Sequence, residues 1–584
     1  MPTFRTNENK FLYFQKRKIY GMMLAVSLFD GWRDMTEFLS AKHIDGKVLD
    51  HLGLIAATIE RLELIDKIDV RLPVSANKGS KVSMGKRVAS MILNGLGFID
   101  DRLYMFPEFL RNKPVDRLLG EGLSAEHFND DVLGRALDGI YKYGTTKLFT
   151  EIAFDVGIKE GLLSRSAHFD TTTLSVYGEY EEEEHVNLTN NKISITHGFS
   201  KAHRPDLKQM VVNLATTGAS GFPIWMQAHS GNASDKKVMI EAAEKMQSFC
   251  KKLKEAPSFL YVGDSAMYES CIKSDAEMKW LSRVPEAINL AKELVRSEDA
   301  VFIWKELENG YKICPVESTY GKIKQRWLVV HSEQAFARES KTLDKNIVCE
   351  KTEMTKTLWH LQNQAFKCEH DARDAGEIAV KKLKYHSVEF SVSVVPKHHH
   401  KGRPKKDAKT TLQYFITGTL AREEDKIAMS RRAKGRFILA TNELDKSTLQ
   451  DEDMLSEYKG QAKTESGFRF IKGNAFEVSS VFLKKPERIE ALVMVMTLCL
   501  MVYSFAQHHL RVALVKSNES VLNQLKKPIQ NPSMAWIYRT FHGIQLLYIK
   551  QESAVQELVI NLTEVLERII RYFGKRAERI YGLS

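Results

Sequence analysis

The run FLYVGDSAMYE, residues 259–269, is a short apolar stretch that ends in Gly263-Asp264 and passes into a helix-like segment. It reads as a buried strand with Asp264 at its C-terminal edge, where ligands gather in open α/β sheets. Upstream, HFDTTTLSVYG (168–178) is β-branched and roughly alternating, a strand with Asp170 inside it. KISITHGFS (192–200) reads as a further strand, and MVVNLATTGASGFPIWMQAHSG (210–231) as a hairpin with a Gly-rich turn. SDKKVMIEAAEKMQSFCKKL (234–253) is an amphipathic helix with Ser234 or Asp235 as N-cap, and KWLSRVPE (279–286) another strand. Strands, helix and strand in this order predict an α/β layer fold.

A chain of 584 residues exceeds what one core usually holds, so several domains are expected. Residues 1–43 lack a clear period and read as an extension. Residues 44–160 read as a helical domain, from DHLGLIAATIERLELIDKI (50–68), KRVASMILNGLGF (86–98) and VLGRALDGIYKYG (132–144). Residues 161–290 form the first part of the α/β core. Residues 291–440 break the rhythm. Strand-like YKICPVES and KQRWLVVHS precede a long polar helical stretch at 333–384, then EFSVSVVP, a basic linker and LQYFITG. This reads as a β-containing insertion. RFILATN (436–442) resumes the core as a strand, and 441–516 supply its second part. YKGQAKTESGFRFIK (458–472) reads as one helix and 488–514 as a long buried one. Residues 517–584 read as a helical C-terminal region suited to dimerisation.

Composition narrows the function classes. The net charge of +11 suits a polyanion partner, because Lys and Arg at phosphates release counterions. Six scattered cysteines form no CxxC pair, which points away from a disulfide framework or zinc site and towards a reducing compartment. The most apolar stretch, 491–506, is short for a membrane span of ~20 residues and reads as a core helix. No membrane partner is expected.

Three carboxylates stand out. Asp170 lies in an apolar, hydroxyl-rich strand; a divalent cation would offset its burial, or it lies on an exposed face. Asp264 is either a ligand at a strand edge or the N-cap of the next helix. Glu465 shares a helical face with Tyr458, Gln461 and Lys472, either a functional stripe or a solvated one.

The spacing Tyr458-x2-Gln461-x3-Glu465-x6-Lys472 resembles the Y-x2-R-x3-E-x6-K signature of bacterial insertion-sequence DDE transposases, with Gln461 in place of the arginine. Within the insertion-sequence-four group, the chain is similar to the family numbered sixteen thirty-four. The similarity runs over residues 44–550, through NGLGF, LYMFPEF, LGRALD, HFDTTTLSV, HGFSKAHRPDLKQ, GNASD, VGDSAMY, LATNELD and VFLKKPERIEALVMVM. It implies an RNase H-like α/β core interrupted by a large β-containing insertion, with helical N- and C-terminal regions. It implies a transposase that cuts transposon ends and joins them to target DNA, with Asp170, Asp264 and Glu465 holding two Mg²⁺ ions (Mn²⁺ as a substitute). Tyr458, Gln461 and Lys472 would hold phosphates, although Gln461 cannot form arginine's charged bidentate clamp. The partners implied are double-stranded DNA, as terminal inverted repeats and target, and a second copy of the chain in a homodimer. The compartment is the bacterial cytoplasm, at the nucleoid. The alternatives are an RNase H-like nuclease without transposition and a decayed DNA-binding relative.

Other signals stay open. KHHHKGRPKK (397–406) is a minor-groove arm placing Arg403, or a solvated linker. In HGFSKAHRPDLK, Lys201, His203 and Arg204 contact DNA, or form a salt-bridged loop with Asp206. Asp206 is also a rival catalytic carboxylate, set aside because its surroundings read as loop. EYEEEE (179–184) reads as a solvated acidic loop. The domain at 44–160 would by resemblance help recognise DNA ends; a packing or dimerisation role is the alternative.

Overall fold

The computed structural model describes residues 43–74, 81–97, 105–177, 180, 192–201, 203–218, 220–253, 257–273, 277–398, 410–472, 483, 485–550 and 555–583. The expected extension up to residue 42, the glutamates at 179 and 181–184, and the basic run 399–406 with Arg403 lie outside the described residues. The chain divides into two compact units, Met1–Val262 with Lys459–Ser584, and Gly263–Tyr458.

The first leg of the first unit starts with β1 (His43–Val48), not with a helix. Helices α1 (Leu52–Arg61), α2 (Leu64–Arg71), α3 (Met84–Leu96), α4 (Phe106–Arg111), α5 (Val115–Leu119), α6 (Asp130–Tyr143) and α7 (Thr145–Lys159) follow; the helical run read over 50–68 is divided at Glu63, which takes φ +54. The start of α6 is set by Asn129, whose Oδ1 accepts from the Val132 N–H at 3.0 Å, with Asp130 and Asp131 complementing the helix dipole. Leu133, Leu137 and Ile140 recur at four and three residues and are fully buried. At its end Gly144 takes φ +102, a conformation glycine adopts at no steric cost, and the chain turns directly into α7.

Next come β2 (Ser166–Val176), β3 (Lys208–Thr217), β4 (Phe222–Ser230), α8 (Asp235–Cys250) and β5 (Leu260–Gly263). The spatial order is β4-β3-β2-β5. β4, β3 and β2 are antiparallel neighbours, while β5 runs parallel to β2, with Val262 opposite His168. A parallel pair needs a crossover, which the hairpin and α8 supply. The expected strand at 192–200 is not formed. That segment meets β3 only at the bridge Thr196–Gln209. Elsewhere Ser194 O accepts from the Gly231 N–H at 3.0 Å, and Gln209 Nε2 donates to Phe199 O at 3.2 Å. A Cβ on Gly198 would lie 2.1 Å from Gly231 O, an approach too close for ladder pairing with side chains.

The second unit holds α9 (Ser265–Lys273), β6 (Lys279–Arg283), α10 (Asn289–Arg296), β7 (Lys305–Leu307), β8 (Tyr311–Tyr320) and β9 (Ile323–Ser332). Then come α11 (Glu333–Asn363), α12 (Glu369–Val380), β10 (His386–His398), β11 (Thr410–Arg422), α13 (Glu424–Arg432), β12 (Arg436–Thr441) and α14 (Asp451–Lys459). The strands lie in the order β6-β12-β9-β8-β7, while β10 and β11 form a separate ribbon. So β7, β8 and β9, expected in the insertion, align with β12, expected to resume the core. The polar helix expected over 333–384 is broken after Asn363. Phe366 docks against β11 by exchanging backbone bonds with Tyr414, and Cys368 starts α12. A small core of Leu343, Ile347 and Ile427 joins α11 to α13, and one of Phe366, Ala372 and Ile416 holds α12 to β11.

The chain returns to the first unit through α15 (Gln461–Ile471) and α16 (Pro486–Lys516). The single helix expected over 458–472 is interrupted at Gly460, so Tyr458 belongs to α14 and the rest of the stripe to α15. The helix α16 is long and apolar enough to cross a membrane, yet 83% of its most apolar window is buried within the protein. It packs on β4, α1, α3, α6 and α7, which accounts for its being apolar all round. The C-terminal region departs from the helical expectation. It contains β13 (Val521–Leu522), β14 (Pro528–Ile529), α17 (Met534–Thr540), β15 (Gln545–Lys550), β16 (Val555–Ile560), α18 (Glu564–Tyr572) and α19 (Lys575–Ile580). β15 is the middle strand between β1 and β16. Short apolar runs such as QLLYIK suit helix or strand equally, and the pairing with β1, from the other end of the chain, decides it.

Candidate active site

Asp170 sits in the middle of β2, opposite Leu214 of β3, and is half-buried in a strand that is otherwise almost wholly buried. Its Oδ1 accepts from the Thr171 N–H at 2.7 Å. Alternation puts Asp170 on the face shared with His168 and Thr172, and with the cross-strand partners Leu214 and Thr216.

That face is covered by α15. Thr464, fully buried, meets Thr216 hydroxyl to hydroxyl at 2.7 Å, and its Oγ1 donates to His168 O at 3.2 Å. One turn earlier, Gln461 Nε2 donates to Phe169 O at 2.6 Å. One turn later, Gly467 lets the helix approach: a Cβ there would lie 3.3 Å from Leu214 and 3.1 Å from Leu500 of α16. Residues 461, 465, 468 and 472 share one stripe of the helix. Glu465 stands on the turn of this helix next to Thr464, with its side chain exposed. Lys472 ends the stripe. The packing of protein around its ammonium holds its pKa below the usual lysine value, the charge of Lys201 adds to this, and Asp170 opposes it.

Lys201 comes from the loop after 192. Its Nζ donates to Thr171 O at 2.8 Å and Oγ1 at 2.9 Å, and pairs with Asp235 at 2.9 Å. It ties the loop to the residue next to Asp170 and to the start of α8. Arg204 is held by Asp206 through bonds of 2.7 to 3.2 Å, the salt-bridged loop that was one sequence reading. The guanidinium keeps the Asp206 carboxyl below its ordinary range. His203 is exposed in the turn, with φ +56.

Asp264 directly follows β5, and its Oδ1 accepts from the Ala266 N–H at 2.9 Å, so it does cap α9. Its backbone oxygen accepts from Ser282 Oγ at 2.6 Å, fixing it to β6. The parallel β2–β5 register ends at Val262, two residues before Asp264. Tyr458, in the second unit, packs its ring on Phe437 with centroids 6.2 Å apart.

Among the described residues no three His, Cys, Asp or Glu side chains are gathered closely enough to hold a metal ion. The chemistry of the three carboxylates nevertheless suits a hard cation such as Mg²⁺. A carboxylate has about four acceptor positions, and the N–H bonds to Asp170 and Asp264 take up only part of that capacity. Sequence reading missed Thr464, Thr216 and Thr171, the hydroxyls that fix these groups; nothing in a threonine-rich strand marks which hydroxyl meets a helix.

Residues 169–502 match the family described as the transposase DDE domain, and residues 44–154 match a domain of unknown function, DUF4277. A cryo-EM structure of the piggyBac transposase synaptic complex with hairpin DNA is similar at a TM-score of 0.33 and 9% identity, over 86% of this chain and 82% of that one. No curated protein matches the chain. The class defined is a DDE-type transposase, an enzyme of DNA transposition. The stretch matched is more than half of the chain and includes all three carboxylates; the chain belongs to the transposase DDE domain family.

Proposed function

We propose that Asp170, Asp264 and Glu465 act together, on an RNase H-like core, as the catalytic carboxylates that cut transposon ends and join them to target DNA. The observation that supports this most is the pinning of α15 to β2. Gln461 and Thr464 bond the backbone of the two residues before Asp170, which fixes the helix that carries Glu465.

These residues would hold two Mg²⁺ ions, with Mn²⁺ as a substitute, which supply charge neutralisation for in-line phosphoryl transfer. Water attacks the phosphodiester at the element's end, the P–O3′ bond breaks, and a 3′-hydroxyl is released. That hydroxyl then attacks a target phosphodiester, forming one P–O bond as another breaks. Lys472 and Tyr458 hold phosphates, Lys201, His203 and Arg204 contact DNA, and Arg403 enters a narrow A·T minor groove. Gln461, turned inward onto Phe169 O, positions α15. The protein is of the bacterial insertion-sequence kind, works in the cytoplasm at the nucleoid, and pairs two inverted-repeat ends as a homodimer.

A plasmid excision assay tests this. Asp264→Ala is expected to abolish excision with DNA binding retained, and excision unaffected by that change would remove the reading. Cutting without joining would favour an RNase H-like nuclease, the second reading, for which Gln461 in the arginine position leaves room. DNA binding without any cutting in the unaltered protein would mark a decayed relative.

A further inference from the structure

We propose that a cleft within the second unit binds the phosphodiester backbone of a single DNA strand. The proposal rests on the transposase reading for the identity of the polymer and on the cleft for everything else. The cleft has a volume of about 600 Å³ and lies among α10, α13, the start of β12 and the segment at Lys384-Tyr385. Seven of its lining residues are Lys or Arg and only two are acidic. Both acids are already engaged: Glu286 pairs with Arg283 at 2.6 Å, and Glu339 Oε2 accepts from the Gly435 N–H at 3.0 Å. Arg436 belongs to the wall, donating to Val295 O, Ser297 O and Asp299.

Lys426 pairs with Glu423 at 3.7 Å, and four cations remain. Lys292, Arg296, Lys384 and Lys434 form no ion pair among the described residues. Lys292 and Arg296 stand four residues apart on α10, a like-charge spacing that weakens a helix. Such a set is costly to fold and is explained by an anion with several spaced charges. The volume suits a small guest, within the ~300–1,000 Å³ range of ligand clefts, and is too narrow for a duplex.

The test measures binding of a labelled mixed-sequence single-stranded oligonucleotide as a function of salt. Each phosphate contact adds ~0.7 to the slope of log affinity against log salt. The combined variant Lys292→Gln, Arg296→Gln, Lys384→Gln, Lys434→Gln should lower the slope by roughly 3, which is about 50-fold in affinity across a four-fold change in salt. A control carrying Lys341→Gln, Lys345→Gln, Lys351→Gln and Lys356→Gln on α11 should keep the slope. All eight side chains are exposed or half-exposed, and equal urea midpoints check that both variants fold.

An unchanged slope in the cleft variant, or an equal fall in the control, overturns the cleft and leaves the active-site reading standing. Binding of inorganic pyrophosphate in the cleft without a slope change for the strand overturns the strand as ligand. Asp170→Asn should lose excision and keep the slope. A protein that binds no DNA overturns both proposals.

Discussion

Thr464→Val replaces a fully buried hydroxyl by a methyl of similar size, so its effect isolates the pinning of α15 to β2. Two bonds disappear: the 2.7 Å contact with Thr216 Oγ1 and the 3.2 Å bond to His168 O. Thr216 is itself fully buried, and its hydroxyl then has lost the helix partner. Leaving a buried polar group unsatisfied costs ~1–3 kcal/mol, whereas a net hydrogen bond contributes only ~1 kcal/mol. The single variant should therefore be destabilised by roughly 2–3 kcal/mol, measured by urea denaturation. Adding Thr216→Val removes the orphan, so the double variant should be more stable than the sum of the two single variants by on the order of 1 kcal/mol. Glu465 rides on the same helix turn, and a shift near 1 Å can cost ~100-fold in rate. Excision should fall ~10- to 100-fold in the single variant while DNA is still bound. Additive costs in the double-mutant cycle, together with unchanged excision, would refute the idea that these hydroxyls set the position of Glu465.

Asp170→Asn and Glu465→Gln should each abolish excision without lowering the urea midpoint; an active variant in either case counts against that carboxylate. Lys472→Met should raise stability at neutral pH, because the charged lysine is disfavoured in the folded state and its pKa is lowered. The folded pKa lies below the unfolded one, so the advantage is present at neutral pH and fades as pH rises through the window up to the usual lysine value. A pH-independent gain would contradict this. His51, buried against Tyr538 and bonded to Leu96 O at 2.8 Å, has its pKa lowered to about 4, chiefly by burial. Protonation then favours the unfolded chain, so stability should be lost as pH falls from about 6.5 to about 4, by roughly 3 kcal/mol. His51→Gln should flatten that loss; an equally steep acid limb would rule out His51 as its source. Gly198→Ala should displace the loop that holds Lys201, since the new Cβ would meet Gly231 O, and excision should drop; full activity would show that the loop is not needed.

Much of the α/β layer was legible because periodicity reports which face is buried. The alternation in HFDTTTLSV and the all-apolar FLYVG both became strands where read, and the hairpin at 210–231 formed around its glycines. The same rule failed at 192–200, where β-branched residues fill a loop that bonds β3 at Gln209, through the Thr196 bridge and a side-chain bond to Phe199 O. It failed again at 458–472, where a helical pattern continues across Gly460 but the helix does not. Arg204 and Asp206 illustrate a third case: their proximity in sequence allowed a salt bridge or two separate roles, and only the fold shows the bridge.

By itself, then, the order of residues determined the strand that holds Asp170, the apolar strand that delivers Asp264, the helical stripe of Glu465 and Lys472, and the buried character of α16. These are properties of local spacing, and local spacing is fixed by covalent geometry. Tertiary structure alone decided that Thr464 and Gln461 bond the strand beside Asp170, that β1 pairs with β15 from the far end of the chain, and that Lys201 is tied to Thr171 and Asp235. Those contacts join residues far apart in sequence. Their energies depend on which groups share a buried space, and no periodicity encodes that.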